Sequence, residues 1–259
     1  MMELTREIRF CLNPAGLNQP VTNSWAGWPS LTTIAPWLKF RCTVSGTVDP
    51  VSGYLCNIKL IDDAIRQAVL PGCQTKTCYW AMLFFAFTEL KKQFADGISL
   101  SRISLHASPT LSFAIDSKEE NMLQMTQQFE FSASHRLHNT DLSEQENREL
   151  FGKCNNPHGH GHNYVVEVTV AANNDSETPL IPLQAFETLV KEQVIDPFDH
   201  RYLNLEVPEF SELNPSVENI ALVIWNKLES QVLAVGNGAS RLANVRVYET
   251  PKTWADYAG

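Results

Sequence analysis

The sequence predicts an α+β protein made of two tandem units, each with the element order β-β-α-α-β. Stretches in which apolar and polar residues alternate, typical of half-buried strands, take the same order relative to amphipathic helical stretches in both halves. Similar residues also recur at a constant offset, since His106 and Tyr248, like Pro109 and Pro251, are 142 residues apart. The alternative to a duplication is a chance likeness between unrelated α+β elements.

The elements are clearest in the second half. In order, they are the strand QQFEFSASHRL, the helix LSEQENRELF, the valine-rich strand HNYVVEVTVAA, the helices LQAFETLVKEQVIDP and PSVENIALVIWNKLE, and the closing strand LANVRVYET. Ser143 precedes Glu146 by three residues, which is a capping box that starts the first helix. Pro197 is predicted to end the second helix, and Ser216 to cap the third.

The first half is a fainter copy of this order. Its counterparts are EIRFCLN, WLKFRCTVSGTVDP, NIKLIDDAIRQAVLP, YWAMLFFAFTELKK and RISLHASPTLSFA. The join is predicted near SKEENMLQ, which gives units 1–120 and 121–259. Residues 1–105 contain no histidine, and Ala107 falls where the second half has Glu249. We therefore expect the first unit to lack any function that depends on the histidines.

Composition narrows the classes of function and partner. The formal net charge of −9 argues against a nucleic-acid-binding surface, which needs a basic face. The longest apolar run, AMLFFAF, is far shorter than the roughly 20 residues that span a bilayer, and predicts a core-facing helix instead. The six cysteines do not have the regular spacing of a disulfide framework, and the N-terminus has no apolar signal region. We therefore predict a cytoplasmic protein with reduced thiols.

Three histidines form a candidate metal site. His160 and His162 are two apart at the entry of a predicted strand, so their side chains project on one side. His135, on the adjacent predicted strand, is the best third candidate. Three neutral imidazoles suit Zn²⁺ and leave a fourth position open, as in catalytic zinc sites. Surface histidines in a glycine-rich loop are the alternative.

Residues near the three histidines are expected to have structural rather than metal-binding roles. Gly161, between the paired histidines, is expected to let the backbone approach another group closely. His158 precedes the predicted strand and is interpreted as a loop residue. His138 is interpreted as an exposed polar residue.

Five ordered motifs carry a resemblance to a known family. They are FSASHRL, FGKCNNPHGHGHNY, FDHRYLN, SVEN and VYET. In order and spacing they resemble the 6-pyruvoyl-tetrahydropterin synthase family, which includes the 6-carboxytetrahydropterin synthases, and the resemblance covers residues 125–259. It implies a tunnelling fold, in which sheets from several subunits of a homo-oligomer close into a barrel with helices outside. It also implies zinc on His135, His160 and His162, and 7,8-dihydroneopterin triphosphate as the substrate.

The same resemblance assigns roles to further residues. Cys154 would be the catalytic base, with Asp199 and His200 beside it as a proton relay. Glu249 would anchor the pterin, because a carboxylate can accept two parallel N–H bonds from the aminopyrimidinone edge. Glu218, in a first helical turn, would lie near the pterin, although a carboxylate there also favours the helix dipole without any ligand.

Three functions follow from these expectations. The spacing of Cys154 from the paired histidines, with NNP between, resembles that of the pyruvoyl-forming members of the family, and this resemblance implies the reaction that releases triphosphate, which is the one we favour. The ending ETPKTWADY resembles bacterial relatives of the queuosine pathway, which favours the carboxy-forming reaction with release of acetaldehyde. A non-catalytic pterin- or metal-binding scaffold is the alternative from another class, but binding zinc requires neither Cys154 nor Asp199.

Overall fold

The chain forms two compact units, Met1–Met125 and Thr126–Gly259. The structure is a computed structural model that describes residues 1–12, 27–31, 34–94, 97–173 and 180–259. Antiparallel strands and helices make up both units, which confirms the predicted α+β class. Among the described residues, no helix is long and apolar enough to cross a membrane.

The first unit is a four-stranded sheet with two helices. Its elements are β1 (Met2–Cys11), β2 (Trp37–Gly46), α1 (Ile58–Thr75), α2 (Tyr79–Lys91), β3 (Ile98–His106) and β4 (Leu111–Asp116), with strand order β1-β2-β3-β4. The strands bury alternate residues, such as Phe40 and Cys42 on β2, because successive side chains point to opposite faces. The apolar run of α2 buries Met82, Leu83 and Phe87, which confirms that it faces the core.

The second unit has more helices. Its elements are β5 (Met122–His135), α3 (Glu144–Phe151), β6 (His160–Asn173), α4 (Leu183–Val190), α5 (Asp196–Phe198), β7 (Arg201–Tyr202), α6 (Leu203–Glu206), α7 (Val217–Val235), β8 (Ser240–Thr250) and β9 (Thr253–Tyr257). The strand order is β5-β6-β8-β9, and the short β7 pairs with β5. The predicted capping box at Ser143 and Glu146 is present, and Ser216 caps α7 by accepting a hydrogen bond from the Asn219 amide.

The helical stretch predicted to end at Pro197 ends one residue later, at Phe198. A π-helical turn at Lys191–Ile195 leads from α4 into α5, whose first turn contains Pro197. A proline is tolerated there since the first N–H groups of a helix have no intrahelical partner. In each unit the closing strand then turns back as a hairpin, into β4 in one and into β9 in the other, and the strand β9 was not predicted.

The two units share an irregularity at equivalent places. In the first, the β2–β3 register shifts between Thr43 and Val44. In the second, the β6–β8 register shifts between Thr169 and Val170. The threonine at each shift exchanges a hydroxyl hydrogen bond with a threonine of the first strand of its unit, Thr5–Thr43 at 2.8 Å and Thr126–Thr169 at 2.9 Å. The same cross-strand pair therefore marks the same bulge in both sheets.

Candidate functional site

The paired histidines begin β6 and project together, as predicted. His160 and His162 are the first and third residues of the strand, and their ring centroids are 4.9 Å apart. The glycine that the entry requires is Gly159 rather than Gly161. Gly159 has φ +72°, and a Cβ there would lie 3.0 Å from the His135 carbonyl oxygen, whereas one on Gly161 would make an ordinary contact of 3.5 Å. The positive φ turns the chain into the strand, which only glycine does at no steric cost.

His135, the last residue of β5, completes the group. Its side chain is fully buried, and its Nδ1 lies 2.7 Å from the carbonyl oxygen of Pro215, just before the cap of α7. Nδ1 must carry the proton to donate this bond, so Nε2 keeps a free lone pair. Nε2 faces Nε2 of His160 at 3.1 Å, and the ligand atoms of all three histidines lie within 4.8 Å of one another. These three residues could therefore hold a metal ion.

The geometry of the three nitrogens fits a metal. Nitrogens bound about 2.0–2.1 Å from a tetrahedral zinc are about 3.4 Å apart, close to the distance between His135 and His160. His162 Nε2 is buried and has no hydrogen-bond partner within the described part of the chain. A buried ring nitrogen without a partner is costly, and a bound cation would satisfy it.

The imidazoles are also in the protonation state that binds metals. Burial is the main cause that lowers the pKa of His135 to about 4, and the neighbouring rings of His160 and His162 contribute less. Burial and then His162 lower the pKa of His160. Both rings are consequently neutral at neutral pH, which is the form that donates a lone pair.

Glu249 lies directly beside the three histidines. Its Oε1 is 3.4 Å from Nε2 of His135 and 3.5 Å from Nε2 of His162. The residue is near the end of β8, and about a fifth of its side chain is exposed (19%). A carboxylate at this distance adds negative charge next to any bound cation.

Cys154 sits in a short 3₁₀ turn, Gly152–Asn155, that precedes the histidine motif. Its carbonyl oxygen accepts a hydrogen bond from the amide of Leu137 at 2.9 Å, which ties the turn to the segment following β5. The side chain is half-buried rather than enclosed in the core.

Asp199 and His200 form a pair at the edge of β5. Asp199 Oδ2 lies 2.8 Å from Nδ1 of His200, and its Oδ1 accepts a hydrogen bond of 2.8 Å from the Ser132 amide. The Ser132 amide, followed by the His200 ring, lowers the pKa of Asp199. His200 has φ 57°, a strained value for a residue with a side chain, and its ring is 82% exposed. The pair is therefore held in a costly conformation that presents the imidazole to solvent.

The structure does not join every residue of the expected site. His200 and His162 line one cavity of about 530 Å³, but no hydrogen bond within the described residues connects His200 with Cys154. Glu218 is exposed in the first turn of α7. His158 lies in an exposed turn, as predicted. Nδ1 of His138 lies 3.0 Å from the side-chain Nδ2 of Asn155, so this residue does not face only solvent.

Sequence reasoning missed two contributors to the site. One is the Pro215 carbonyl, which selects the tautomer of His135 from 80 residues away and has no local signal in the sequence. The other is Tyr164, which is fully buried against His162 and His135 with a hydroxyl that lacks a partner among the described residues. The sequence did contain a signal for Tyr164, because it lies two residues after His162 on β6 and so points to the same face of the strand.

Three converging histidines on an α+β unit, with a carboxylate beside them, define a protein with a group that could hold a metal ion. The family model for 6-pyruvoyl tetrahydropterin synthase matches residues 124–259. The chain therefore belongs to the 6-pyruvoyl tetrahydropterin synthase family. Residues before this match lie outside it.

Individual proteins are similar to the same half of the chain. The 6-pyruvoyl tetrahydrobiopterin synthase of Homo sapiens is 43% identical over 137 residues, which are 52% of this chain and 91% of the relative. The 6-carboxy-5,6,7,8-tetrahydropterin synthase of Rickettsia bellii is 28% identical over 156 residues, 52% of this chain and 99% of the relative. The solved structure of Caenorhabditis elegans 6-pyruvoyl tetrahydropterin synthase is 37% identical with a TM-score of 0.48, and the alignment covers 53% of this chain and 96% of that one.

Proposed function

We propose that the protein is a zinc-dependent lyase that converts 7,8-dihydroneopterin triphosphate to 6-pyruvoyl-tetrahydropterin with loss of triphosphate. The observation that carries the proposal is the convergence of three histidine nitrogens beside Glu249 in a member of this family. The human relative, at 43% identity, bears the name of the pyruvoyl-forming enzyme.

The histidines are proposed to hold the zinc. His135, His160 and His162 supply three nitrogen ligands and no charge, which leaves the cation its full Lewis acidity and one open position. Zinc bound there would polarise the hydroxyl groups of the substrate side chain and acidify the adjacent C–H bond. The hydrogen bond from His135 to Pro215 orients the first ligand before any metal arrives.

Cys154 is proposed to remove the substrate proton. Its thiol is half-buried in the turn that precedes the histidine motif, and a dication bound nearby would favour the thiolate. Asp199 and His200 would then carry protons, since Asp199 fixes the ring through Nδ1 and leaves Nε2 free. Because the ring is exposed, Nε2 can meet a group from the substrate or from a neighbouring copy of the chain.

Two carboxylates are proposed to bind the pterin. Glu249 can accept N–H bonds from the aminopyrimidinone edge, and its place beside the histidines would keep the ring close to the reacting side chain. Glu218 is exposed two residues after the cap of α7, and is proposed to lie near the same ring.

The carboxy-forming reaction is the second candidate. Relatives that bear that name match the same half of the chain, although at 28% identity and below. Both reactions would use the same metal and thiol, so only the product separates them.

Incubation of the purified protein with 7,8-dihydroneopterin triphosphate tests the proposal directly. We expect release of triphosphate and a product with a diketo side chain, measured by mass spectrometry, together with about one zinc per chain by metal analysis. Acetaldehyde among the products would establish the carboxy-forming reaction instead. Zinc bound in full without any turnover would support the non-catalytic scaffold.

The first unit is proposed to be a degenerate copy that completes an oligomeric barrel in the cytoplasm. Both units contain the β-β-α-α-β order, and the bulges at Thr43 and Thr169 fall at equivalent places, as expected for a tandem duplication. The proposed assembly is a homo-oligomer of tunnelling-fold units, because closing a barrel removes sheet edges that would otherwise be exposed.

Deleting the first unit tests this role. A fragment of residues 122–259 retains β5 and all three histidines, so it should still bind zinc. We expect it to assemble differently from the full chain and to lose most of its turnover, as measured by light scattering and product formation. Normal assembly and turnover of the fragment would contradict the proposed role.

A further inference from the structure

Tyr164 is the most enclosed polar side chain near the histidines. The residue is fully buried on β6, and its ring stacks on Phe131 with centroids 4.9 Å apart. Its other neighbours are the rings of His162 at 5.6 Å and His135 at 6.1 Å. The phenol thus lies on the same face of the strand as His160 and His162, one step deeper.

The hydroxyl of Tyr164 lacks a hydrogen-bond partner. It is buried, and no described residue lies within bonding geometry of it. Buried hydroxyls in native proteins are almost always paired, so one left alone beside a functional site points to a partner that arrives when the site is loaded.

The register of the sheet identifies the residue that faces Tyr164. In the β6–β8 pair, Val166 is opposite Val247 and Val165 is opposite Tyr248. One further step places Tyr164 opposite Glu249, and directly opposed residues have Cβ atoms about 4.5–5.5 Å apart. A phenol carries its proton at neutral pH, so the hydroxyl of Tyr164 can donate a hydrogen bond to that carboxylate.

The first unit shows that packing alone does not require this pair. Thr43 and Thr169 mark equivalent bulges, and counting back from them places Leu38 where the second unit has Tyr164. Leu38 is buried, and one step beyond the pairing of Lys39 with His106 the register places it opposite Ala107. The unit without metal-binding histidines therefore has two apolar residues where the second unit has a phenol and a carboxylate.

We propose that Tyr164 is a positioning residue, whose hydroxyl donates a hydrogen bond to the carboxylate of Glu249 and holds it beside the metal-binding histidines. The bond forms when a cation binds and draws Glu249 into one orientation. Tyr164 acts through Glu249 rather than by touching the substrate, because its own oxygen is enclosed. The inference rests on the proposed metal centre but not on which product the enzyme makes.

A double-mutant cycle on zinc affinity tests the proposal without any substrate. Full-length Tyr164→Phe, Glu249→Ala and the double variant are titrated against a chromophoric chelator, with Tyr257→Phe as a control for loss of a phenol elsewhere in the unit. Outer-sphere partners of metal ligands typically change affinity about 10- to 100-fold. We expect Tyr164→Phe to weaken zinc binding by about tenfold, Glu249→Ala, which leaves no acceptor for the hydroxyl, by at least as much, and the double variant no more than Glu249→Ala alone.

Two further measurements separate the alternatives. The absorption spectrum of the Co²⁺-substituted protein should shift in Tyr164→Phe but not in Tyr257→Phe, while circular dichroism reports that both variants are folded. Unchanged affinity and spectrum, or losses that add in the double variant, would overturn the proposal. A changed alkylation rate at Cys154 with unchanged zinc affinity would overturn it too, because the hydroxyl would then act through the thiol. Since no arm requires turnover, failure of the proposed reaction would leave this result intact.

Discussion

Replacing His160 with alanine is expected to abolish metal binding and turnover together. Nε2 of His160 faces Nε2 of His135 at 3.1 Å, so the substitution removes one of three converging ligands. Two imidazoles are one nitrogen ligand fewer than the three that a catalytic zinc site takes from the protein. Metal analysis should fall from about one zinc per chain to near zero, and product formation to the background rate.

The motif offers its own control for this variant. His158 lies two residues earlier in the same glycine-rich stretch, but its side chain is exposed in the turn before β6. His158→Ala should therefore keep both zinc and turnover. The interpretation fails if His160→Ala binds zinc in full, or if the two substitutions behave alike.

Periodicity was enough to predict that His160 and His162 project together, because strand geometry is local. An alternation of two places both residues on one face whatever the rest of the chain does. His135 was expected nearby because strands that follow one another in the sequence commonly lie next to each other. The same argument predicted β5, β6, α7 and the capping box at Ser143, where pattern and capping chemistry agree.

The parts that could not be predicted depend on contacts between distant segments. Pro215 sets the tautomer of His135 because α7 packs its N-terminal end against the end of β5, a contact across 80 residues. Glu249 reaches the histidines through the register of β6 and β8, and a shift at Thr169 changes that register by one residue. Neither a register nor a packing contact leaves a signal in the residues nearby.

The proposed duplication would leave the first unit with a core but without the chemistry. Buried positions of β2 and β3 are apolar, as the core of a sheet requires. Counting from the bulges at Thr43 and Thr169, Leu38 and Ala107 stand where the second unit has Tyr164 and Glu249. Histidines are absent from residues 1–105, which is why the first unit is the one proposed to be the scaffold.

Cys154→Ala is expected to bind zinc normally and to lose turnover. The residue supports the structure through its backbone, since it is the carbonyl oxygen that accepts the bond from Leu137, and alanine keeps that bond. The substitution therefore removes only the sulfur from a half-buried turn. Loss of a general base typically costs about 10²- to 10⁴-fold in rate, so kcat should fall by that factor while zinc content stays that of the parent.

The matched control for this variant is a thiol in the other unit. Cys56 is also half-buried but lies in the first unit, in the loop before α1, so Cys56→Ala should leave zinc and kcat unchanged. A pH profile adds a second criterion, because the limb that reports the catalytic base should disappear in Cys154→Ala. If Cys154→Ala turned over as fast as the parent, the proton would have to leave through another group. The exposed imidazole of His200, held by Asp199, would then be the residue to test.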